Sequence, residues 1–108
     1  MKILVTGAAG FIGFHLSALL IKKKFKVFGI DNINDYYDTK LKFDRLKNLG
    51  IGKVDAKKFG LISSHKNFKF CRANLEDKQL LLKIFKTEKF DIVCNLAAQA
   101  GVRNSLTN

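Results

Sequence analysis

Three glycines near the start of the chain have the spacing of a phosphate-binding loop. Gly7, Gly10 and Gly13 lie between the apolar residues 2–6 and the start of a predicted helix. The first N–H groups of a helix lack intrahelical partners and the helix dipole is positive there, so this junction attracts anions. Gly7 would allow a sharp turn, Gly10 a close approach by a pyrophosphate, and Gly13 tight packing of the helix. The spacing therefore predicts a loop that binds a dinucleotide.

An acidic residue follows at the end of the next predicted strand. Asp31 stands 18 residues after Gly13, and Asn32 comes directly after it. A carboxylate at this position accepts hydrogen bonds from the adenosine ribose and repels a 2′-phosphate. Since no arginine is close by in the sequence, the pattern favours NAD over NADP. The alternative is that Asp31 is an ordinary turn residue.

A second pattern, Tyr-x-x-x-Lys at Tyr36 and Lys40, has a spacing that suits proton transfer between a phenol and a lysine one helical turn away. It directly follows the second predicted strand, on the adenine side of a dinucleotide and far from the nicotinamide. We therefore interpret it as a solvated segment and assign no catalytic residue in this chain. His15, His65 and the cysteines form no cluster with metal-ligand spacing, so no metal site is predicted.

The elements that must position these residues follow from hydrophobic periodicity. In the first helix, the apolar residues expected on the face that packs against the sheet are Ile12, Leu16, Leu19 and Leu20. Residues 51–66 show no clear period and are expected to form a loop. The predicted strands are 2–6, 25–30, 68–72 and 90–98, and the predicted helices are 11–24, 39–49 and 76–89.

Strands and helices alternate along the whole chain, which predicts an α/β fold with a parallel sheet, right-handed crossovers and helices on both faces. We expect the first half of a doubly wound fold, with four strands in the order 3-2-1-4. The chain stops directly after the fourth strand, where a further helix and strands are expected. We thus interpret residues 1–108 as one dinucleotide-binding domain, incomplete at its C-terminal end.

The charge of the chain leaves a second class of function open. The net charge is +11, from 20 lysines and arginines against nine acidic residues. A basic nucleic-acid-binding domain is therefore an alternative. The sequence lacks zinc-finger spacing, an aromatic RNA-binding signature and a sustained basic helix stripe, so a lysine-rich solvated surface is favoured and no nucleic-acid partner is expected.

The cysteines and the N-terminal apolar stretch indicate the compartment. Cys71 and Cys94 each lie in an apolar run and form no CxxC pair, as expected for reduced core thiols of a cytoplasmic protein. The stretch up to Ile21 is interrupted by three glycines, Thr6 and His15. Such a stretch predicts neither a signal peptide nor a membrane span.

Three segments resemble one known family. They are TGAAGFIG at 6–13, DNINDYYDTKLKFDRL at 31–46 and NLAAQAGVRNS at 95–105. They are similar to the extended short-chain dehydrogenase/reductase family, whose glycines follow G-x-x-G-x-x-G. This family includes the NAD-dependent epimerases and dehydratases. Within it the three segments resemble most the UDP-glucuronate 4-epimerase branch, since the related dehydratases have a different segment in the place of QAGVR. The resemblance implies a Rossmann-like fold.

The resemblance also implies which residues bind NAD. The pyrophosphate would be held by the glycine loop, the ribose by the end of the second strand, the adenine by the end of the third, and the rest of the cofactor by the loop after the fourth. Asn74 stands where the family usually has Asp, and Asn104 where it usually has Tyr. The implied residues are Gly7, Gly10, Phe11, Ile12, Gly13, Asp31, Asn32, Asn74, Leu75, Leu96, Ala97, Ala98 and Gln99.

In this family NAD takes a hydride from C4 of a nucleotide sugar, here expected to be a UDP-sugar for polysaccharide biosynthesis, and returns it to the other face. The family's catalytic Tyr-x-x-x-Lys lies beyond the end of this chain, so we expect these 108 residues to be inactive alone. The fourth strand would leave an open edge that favours self-association, including a homodimer. A non-catalytic NAD-binding or interaction module is a further alternative.

Overall fold

The computed structural model describes residues 1–34 and 39–97. Its elements, in chain order, are β1 Lys2–Thr6, α1 Phe11–Lys22, β2 Lys26–Asp31, α2 Thr39–Asn48, α3 Lys53–Ala56, β3 Ile62–His65, β4 Phe68–Arg72, α4 Lys78–Glu88 and β5 Ile92–Asn95. Among the described residues, no helix combines the length and the hydropathy that a membrane span requires.

The sheet has five strands in the order β3-β4-β2-β1-β5. β1 pairs in parallel with β2 and with β5, and β2 pairs in parallel with β4. These are the four predicted strands, and their predicted order, 3-2-1-4, is confirmed. Because the four strands are parallel, their carboxyl ends meet at one edge of the sheet, where the predicted site residues follow them.

The predicted loop at 51–66 is wrong in part, because it contains α3 and β3. β3 pairs antiparallel with β4, from Ile62 opposite Cys71 to His65 opposite Phe68. It is an edge strand with no fully buried residue. A strand of this kind shows no alternation of apolar and polar residues. The hairpin turn uses Lys66 in a left-handed conformation, with φ +53°, instead of the glycine that would reveal it in the sequence.

Helices cover both faces of the sheet, as predicted. On one face, residues of α1, α2 and α3 pack against Ile3, Val5 and Phe70. On the other face, α4 contributes Ile84 to a smaller cluster with Leu4 and other strand residues. Successive residues of β1 thus enter different clusters, which explains why residues 2–6 form an unbroken apolar run.

The contact face of α1 differs from the prediction. Gly13 and Ser17 are its buried residues, whereas Leu19 is 50% exposed and Ile12 66% exposed. Leu16 and Leu20 pack at the margin of the cluster, as expected. Small residues at the centre of this face let the helix axis approach the sheet closely, so the larger side chains lie beside the contact or in solvent.

Candidate dinucleotide-binding site

The glycine loop is built mainly from backbone hydrogen bonds to β2. The Gly7 N–H donates to the Ile30 carbonyl at 2.7 Å, and the Ala8 N–H donates to the same oxygen at 3.2 Å. Gly7 has φ +75°, and a Cβ there would lie 2.9 Å from the Ala97 nitrogen. Both the backbone conformation and the neighbouring chain therefore require glycine at this position.

Gly10 and Gly13 have different surroundings. A Cβ on Gly13 would lie 2.1 Å from the Gly7 carbonyl oxygen, so this glycine sets how closely α1 approaches the loop. Among residues 1–34 and 39–97, a Cβ on Gly10 would meet only that same oxygen, at 3.3 Å. The described part of the chain thus leaves space beside Gly10 through which a ligand can reach the backbone.

The N-terminus of α1 presents unpaired donors next to that space. Gly10 is its N-cap and supplies no side-chain acceptor. The first intrahelical bond runs from the Phe14 N–H to the Gly10 carbonyl at 2.9 Å. Within the described ranges, the N–H groups of Phe11, Ile12 and Gly13 have no acceptor. Three N–H groups at the positive end of a helix dipole form an anion site.

Thr6 joins the glycine loop to the loop after β5. Its hydroxyl donates to Asn95 Oδ1 at 2.5 Å. Thr6 Oγ1 itself accepts from the N–H groups of Leu96 at 3.1 Å and Ala97 at 3.3 Å. The segment after β5 is thereby held against Gly7, and these two predicted parts of the site are brought together.

Asp31 is buried and ties the glycine loop to the end of β2. Its Oδ2 accepts from the Ala9 N–H at 3.0 Å, and its Oδ1 accepts from the Ile33 N–H at 2.7 Å. The second bond is the local turn contact that the alternative interpretation expected. The first links residues that are far apart in the sequence, so Asp31 is more than an ordinary turn residue.

Two cations from α2 also reach this region. Lys42 Nζ lies 3.6 Å from Asp31 Oδ1. Arg45 Nη1 donates to the Ala9 carbonyl at 3.0 Å, and its guanidinium carbon lies 5.9 Å from the centroid of the Phe11 ring. The premise that no arginine is close to the Asp31 region is therefore wrong in the folded chain. Lys42 and Arg45 are three residues apart on one helix, a spacing that could have indicated a shared face.

Arg72 organises the segment after β2, and the sequence analysis missed this role. Its guanidinium donates to the carbonyls of Asn32 at 2.8 Å, Ile33 at 3.2 Å and Lys57 at 2.9 Å. It also lies 4.2 Å from the centroid of the Phe59 ring. One side chain at the end of β4 thus fixes the backbone that follows Asp31.

Asn74 and Leu75 lie two and three residues after this arginine and are exposed. The Ala73 N–H donates to the Asp31 carbonyl at 3.2 Å, which keeps this segment beside the end of β2. The predicted adenine-side residues are therefore neighbours of the predicted ribose-side residues. Ala98, Gln99 and Tyr36 lie outside the described residues.

Neither thiol contributes to this site. Cys71 and Cys94 are free cysteines. Burial raises the pKa of the Cys71 thiol, so it stays protonated and unreactive at neutral pH. In the described part of the chain, no group of three His, Cys, Asp or Glu residues could hold a metal ion. The described groups at this edge of the sheet are the unpaired N–H donors of α1 and the Asp31 carboxylate.

Comparison with known proteins gives a consistent set of similarities. Residues 4–108 match the family described as GDP-mannose 4,6 dehydratase. The chain is 48% identical over 108 residues to Protein CapI of Staphylococcus aureus, covering all of this chain and 28% of that protein. It is 42% identical over 105 residues to the UDP-glucuronate 4-epimerase of Thermodesulfobacterium geofontis, covering 97% of this chain and 28% of the relative.

The fold also matches a solved structure. It is the crystal structure of UDP-glucuronic acid 4-epimerase from Bacillus cereus in complex with UDP-glucuronic acid and NAD. The TM-score is 0.70 at 36% sequence identity, and the match covers 97% of this chain and 29% of that one. The chain therefore spans just over a quarter of the length of these proteins.

Proposed function

The chain belongs to the GDP-mannose 4,6 dehydratase family, and we propose that it is the NAD-binding part of a nucleotide-sugar 4-epimerase. The observation that carries this proposal is the set of unpaired N–H groups of Phe11, Ile12 and Gly13 beside the open space at Gly10. A pyrophosphate fits such a backbone site, because it needs several converging donors and no intervening side chain.

The other parts of the site would hold the rest of the cofactor. The end of β2 would take the adenosine ribose, the segment after β4 would flank the adenine, and the segment after β5 would lie along the cofactor toward the nicotinamide. The proposed residues are Gly7, Gly10, Phe11, Ile12, Gly13, Asp31, Asn32, Asn74, Leu75, Leu96, Ala97, Ala98 and Gln99.

The carboxylate of Asp31 supports NAD over NADP, because a 2′-phosphate close to it would be repelled. Lys42 partly offsets that repulsion, since its ammonium lies 3.6 Å from the carboxylate. The B. cereus epimerase with 36% identity has NAD bound, which supports the same choice. We therefore expect a preference for NAD that depends on the balance between these two side chains.

When bound, NAD would accept a hydride from C4 of the sugar and return it to the opposite face. The described residues would contribute binding and orientation to that reaction. A UDP-sugar of the UDP-glucuronate type is the proposed substrate, since relatives with this activity share 42% and 36% identity with the chain. We expect the 108 residues alone to bind NAD without turnover, and we place the protein in the cytoplasm, where its free thiols stay reduced.

Calorimetric titration with NAD and NADP tests this proposal. We expect NAD to bind the purified chain and NADP to bind more weakly. Gly10→Val places a side chain in the space beside Gly10 and should abolish NAD binding. The free energy of unfolding should fall by about 1 kcal/mol, because valine is a poorer N-cap than glycine and its Cβ would lie 3.3 Å from the Gly7 oxygen.

Two results would contradict the proposal: tighter binding of NADP than NAD, or NAD binding that Gly10→Val leaves unchanged. Steeply salt-dependent binding of the chain to duplex or single-stranded DNA would support the alternative function instead.

A further inference from the structure

The amino end of the sheet, opposite the glycine loop, carries a cationic cavity. It has a volume of about 170 Å³ and is lined by nine residues, among them Lys2, Lys26, Lys66, Lys69, Glu88 and Phe90. We call it the amino-end cavity. Its lysines come from β1, β2, the β3–β4 turn and β4, four segments that the parallel sheet brings together.

One buried carboxylate fixes two of these lysines. Glu88 is 7% exposed, and its carboxylate lies 3.6 Å from Lys2 Nζ and 3.2 Å from Lys69 Nζ. Neither Lys26 nor Lys66 forms an ion pair with a described carboxylate. The four lysines and Glu88 together give the cavity lining a net charge of +3.

One further carboxylate close to Lys2 does not neutralise this charge. Asp91 accepts a hydrogen bond from the Lys2 backbone N–H at 2.8 Å, and counting its carboxylate still leaves a net charge of +2. Lysines at helix C-termini are commonly explained by the helix dipole. That explanation does not apply here, because the four lysines lie on strands or in a turn.

The backbone around the cavity is fixed. Lys2 and Lys26 are register partners on neighbouring parallel strands. The Val27 N–H donates to the Asn67 carbonyl at 2.8 Å, which anchors the turn that carries Lys66. Phe28 and Phe90 contribute an apolar part of the lining, with ring centroids 5.7 Å apart. An apolar surface close to the charges lowers the local dielectric and strengthens attraction to an anion.

We propose that the amino-end cavity binds a small, multiply charged phosphate anion. Ammonium groups act as compact point charges on flexible stems, which suits a phosphate or diphosphate group. Lys26 and Lys66 would supply the free charges, and Lys2 and Lys69 would turn toward the ligand from Glu88. This site is separate from the glycine loop, because the two lie at opposite ends of the same strands.

Titration of the isotopically labelled chain with inorganic pyrophosphate, followed by NMR, tests this proposal. Saturating NAD is present so that the glycine loop is occupied. We expect shifts at the amides of Lys66, Asn67 and Phe90. The double variant Lys26→Gln/Lys66→Gln should weaken pyrophosphate binding about tenfold, which corresponds to the loss of two partly exposed charge contacts.

The matched control is Lys47→Gln/Lys83→Gln, which removes two exposed lysines outside the cavity. It should leave pyrophosphate binding within about twofold of the parent value, since these charges are screened by solvent. Equal weakening by both double variants, or shifts confined to the glycine loop, would overturn the proposal. NAD affinity should be the same in all three proteins, so failure of this proposal is distinguishable from failure of the proposed NAD function.

Discussion

The two ends of the sheet use different parts of the chain to attract anions. At the carboxyl end the donors are backbone N–H groups, held in place by Thr6, Asp31 and the glycines. At the amino end they are lysine side chains, of which Lys2 is 38% and Lys69 46% exposed. A site made of backbone N–H groups loses its affinity for the anion when the chain shifts slightly. The affinity of a site made of lysine side chains changes gradually as each charge is removed or added. Substitutions at the two ends should therefore have effects on ligand binding that differ in both size and sign.

The largest effect is expected for Gly13→Ala. Alanine usually stabilises a helix relative to glycine, by about 1 kcal/mol. Here the new Cβ would lie 2.1 Å from the Gly7 oxygen and 2.8 Å from the Gly7 carbonyl carbon. Backbone atoms cannot move aside cheaply, so we expect a loss of about 3 kcal/mol in the free energy of unfolding, together with loss of NAD binding. Urea denaturation and calorimetry measure both.

Gly52→Ala is the matched control for that substitution. Gly52 is the N-cap of α3 with φ −73°, and a Cβ there would have no neighbour within 4 Å in the described ranges. The free energy of unfolding should change by less than about 1 kcal/mol, since only the capping preference is affected. If both variants lose the same stability, close approach at Gly13 is not what the loop requires.

Arg72→Met tests how firmly the carboxyl end is held on its adenosine side. The substitution leaves the carbonyls of Asn32, Ile33 and Lys57 without their guanidinium donor. We expect the free energy of unfolding to fall by about 2 kcal/mol and NAD binding to weaken, because the partly buried carbonyls of Asn32 and Ile33 are left unpaired. Arg45→Met removes one hydrogen bond, to the Ala9 carbonyl, together with the contact to the Phe11 ring and should cost about 1 kcal/mol. Equal losses in the two variants would show that Arg72 has no special role in holding this segment.

The carboxyl end was largely predictable from the sequence, and the reason is local. The three glycines and the strand before them are consecutive features whose spacing is visible without knowing the fold, and Asp31 follows at the end of the next strand. The parallel sheet followed from the alternation of strands and helices, and its order from the doubly wound fold that we expected. What the sequence did not reveal depends on contacts between distant segments. Arg72 is 40 residues from Asn32, whose carbonyl it binds.

The remaining errors have the same physical origin. β3 was missed because an exposed edge strand carries no alternating pattern and its turn has no glycine. The face of α1 was predicted in part: the close approach at Gly13 was expected, but Ser17 and not Leu19 is buried beside it. The amino-end cavity could not be predicted from the sequence, because its lysines come from four separate segments.

Asp31→Asn should have a smaller effect that is specific to the cofactor. Asparagine has one acceptor oxygen, so it cannot accept from the N–H groups of both Ala9 and Ile33 through separate oxygens, as Asp31 does. We expect NAD binding to weaken about tenfold, equivalent to about 1.4 kcal/mol. The ratio of NAD affinity to NADP affinity should decrease, since the negative charge that repels the 2′-phosphate is lost.

Lys42→Gln is the control for this substitution, because it removes the cation beside Asp31 and keeps the carboxylate. It should leave NAD affinity nearly unchanged and weaken NADP further. Calorimetry with NAD and NADP measures the ratio of the two affinities in each variant. A wider preference for NAD in Asp31→Asn would show that this carboxylate does not discriminate against the 2′-phosphate.

The smallest effect, and one of opposite sign, is expected for Glu88→Gln at the amino end. The substitution releases Lys2 and Lys69 from their ion pairs and raises the net charge of the cavity lining from +3 to +4. Pyrophosphate should bind about threefold more tightly, measured by the NMR titration described above, because it no longer competes with a carboxylate for two ammonium groups. The free energy of unfolding should fall by no more than about 1 kcal/mol, since both lysines are partly exposed and solvent weakens their ion pairs. Weaker pyrophosphate binding in this variant would mean that Glu88 orients the lysines for the anion. The amino end would then depend on fixed geometry, as the carboxyl end does, and the contrast between the two ends would be lost.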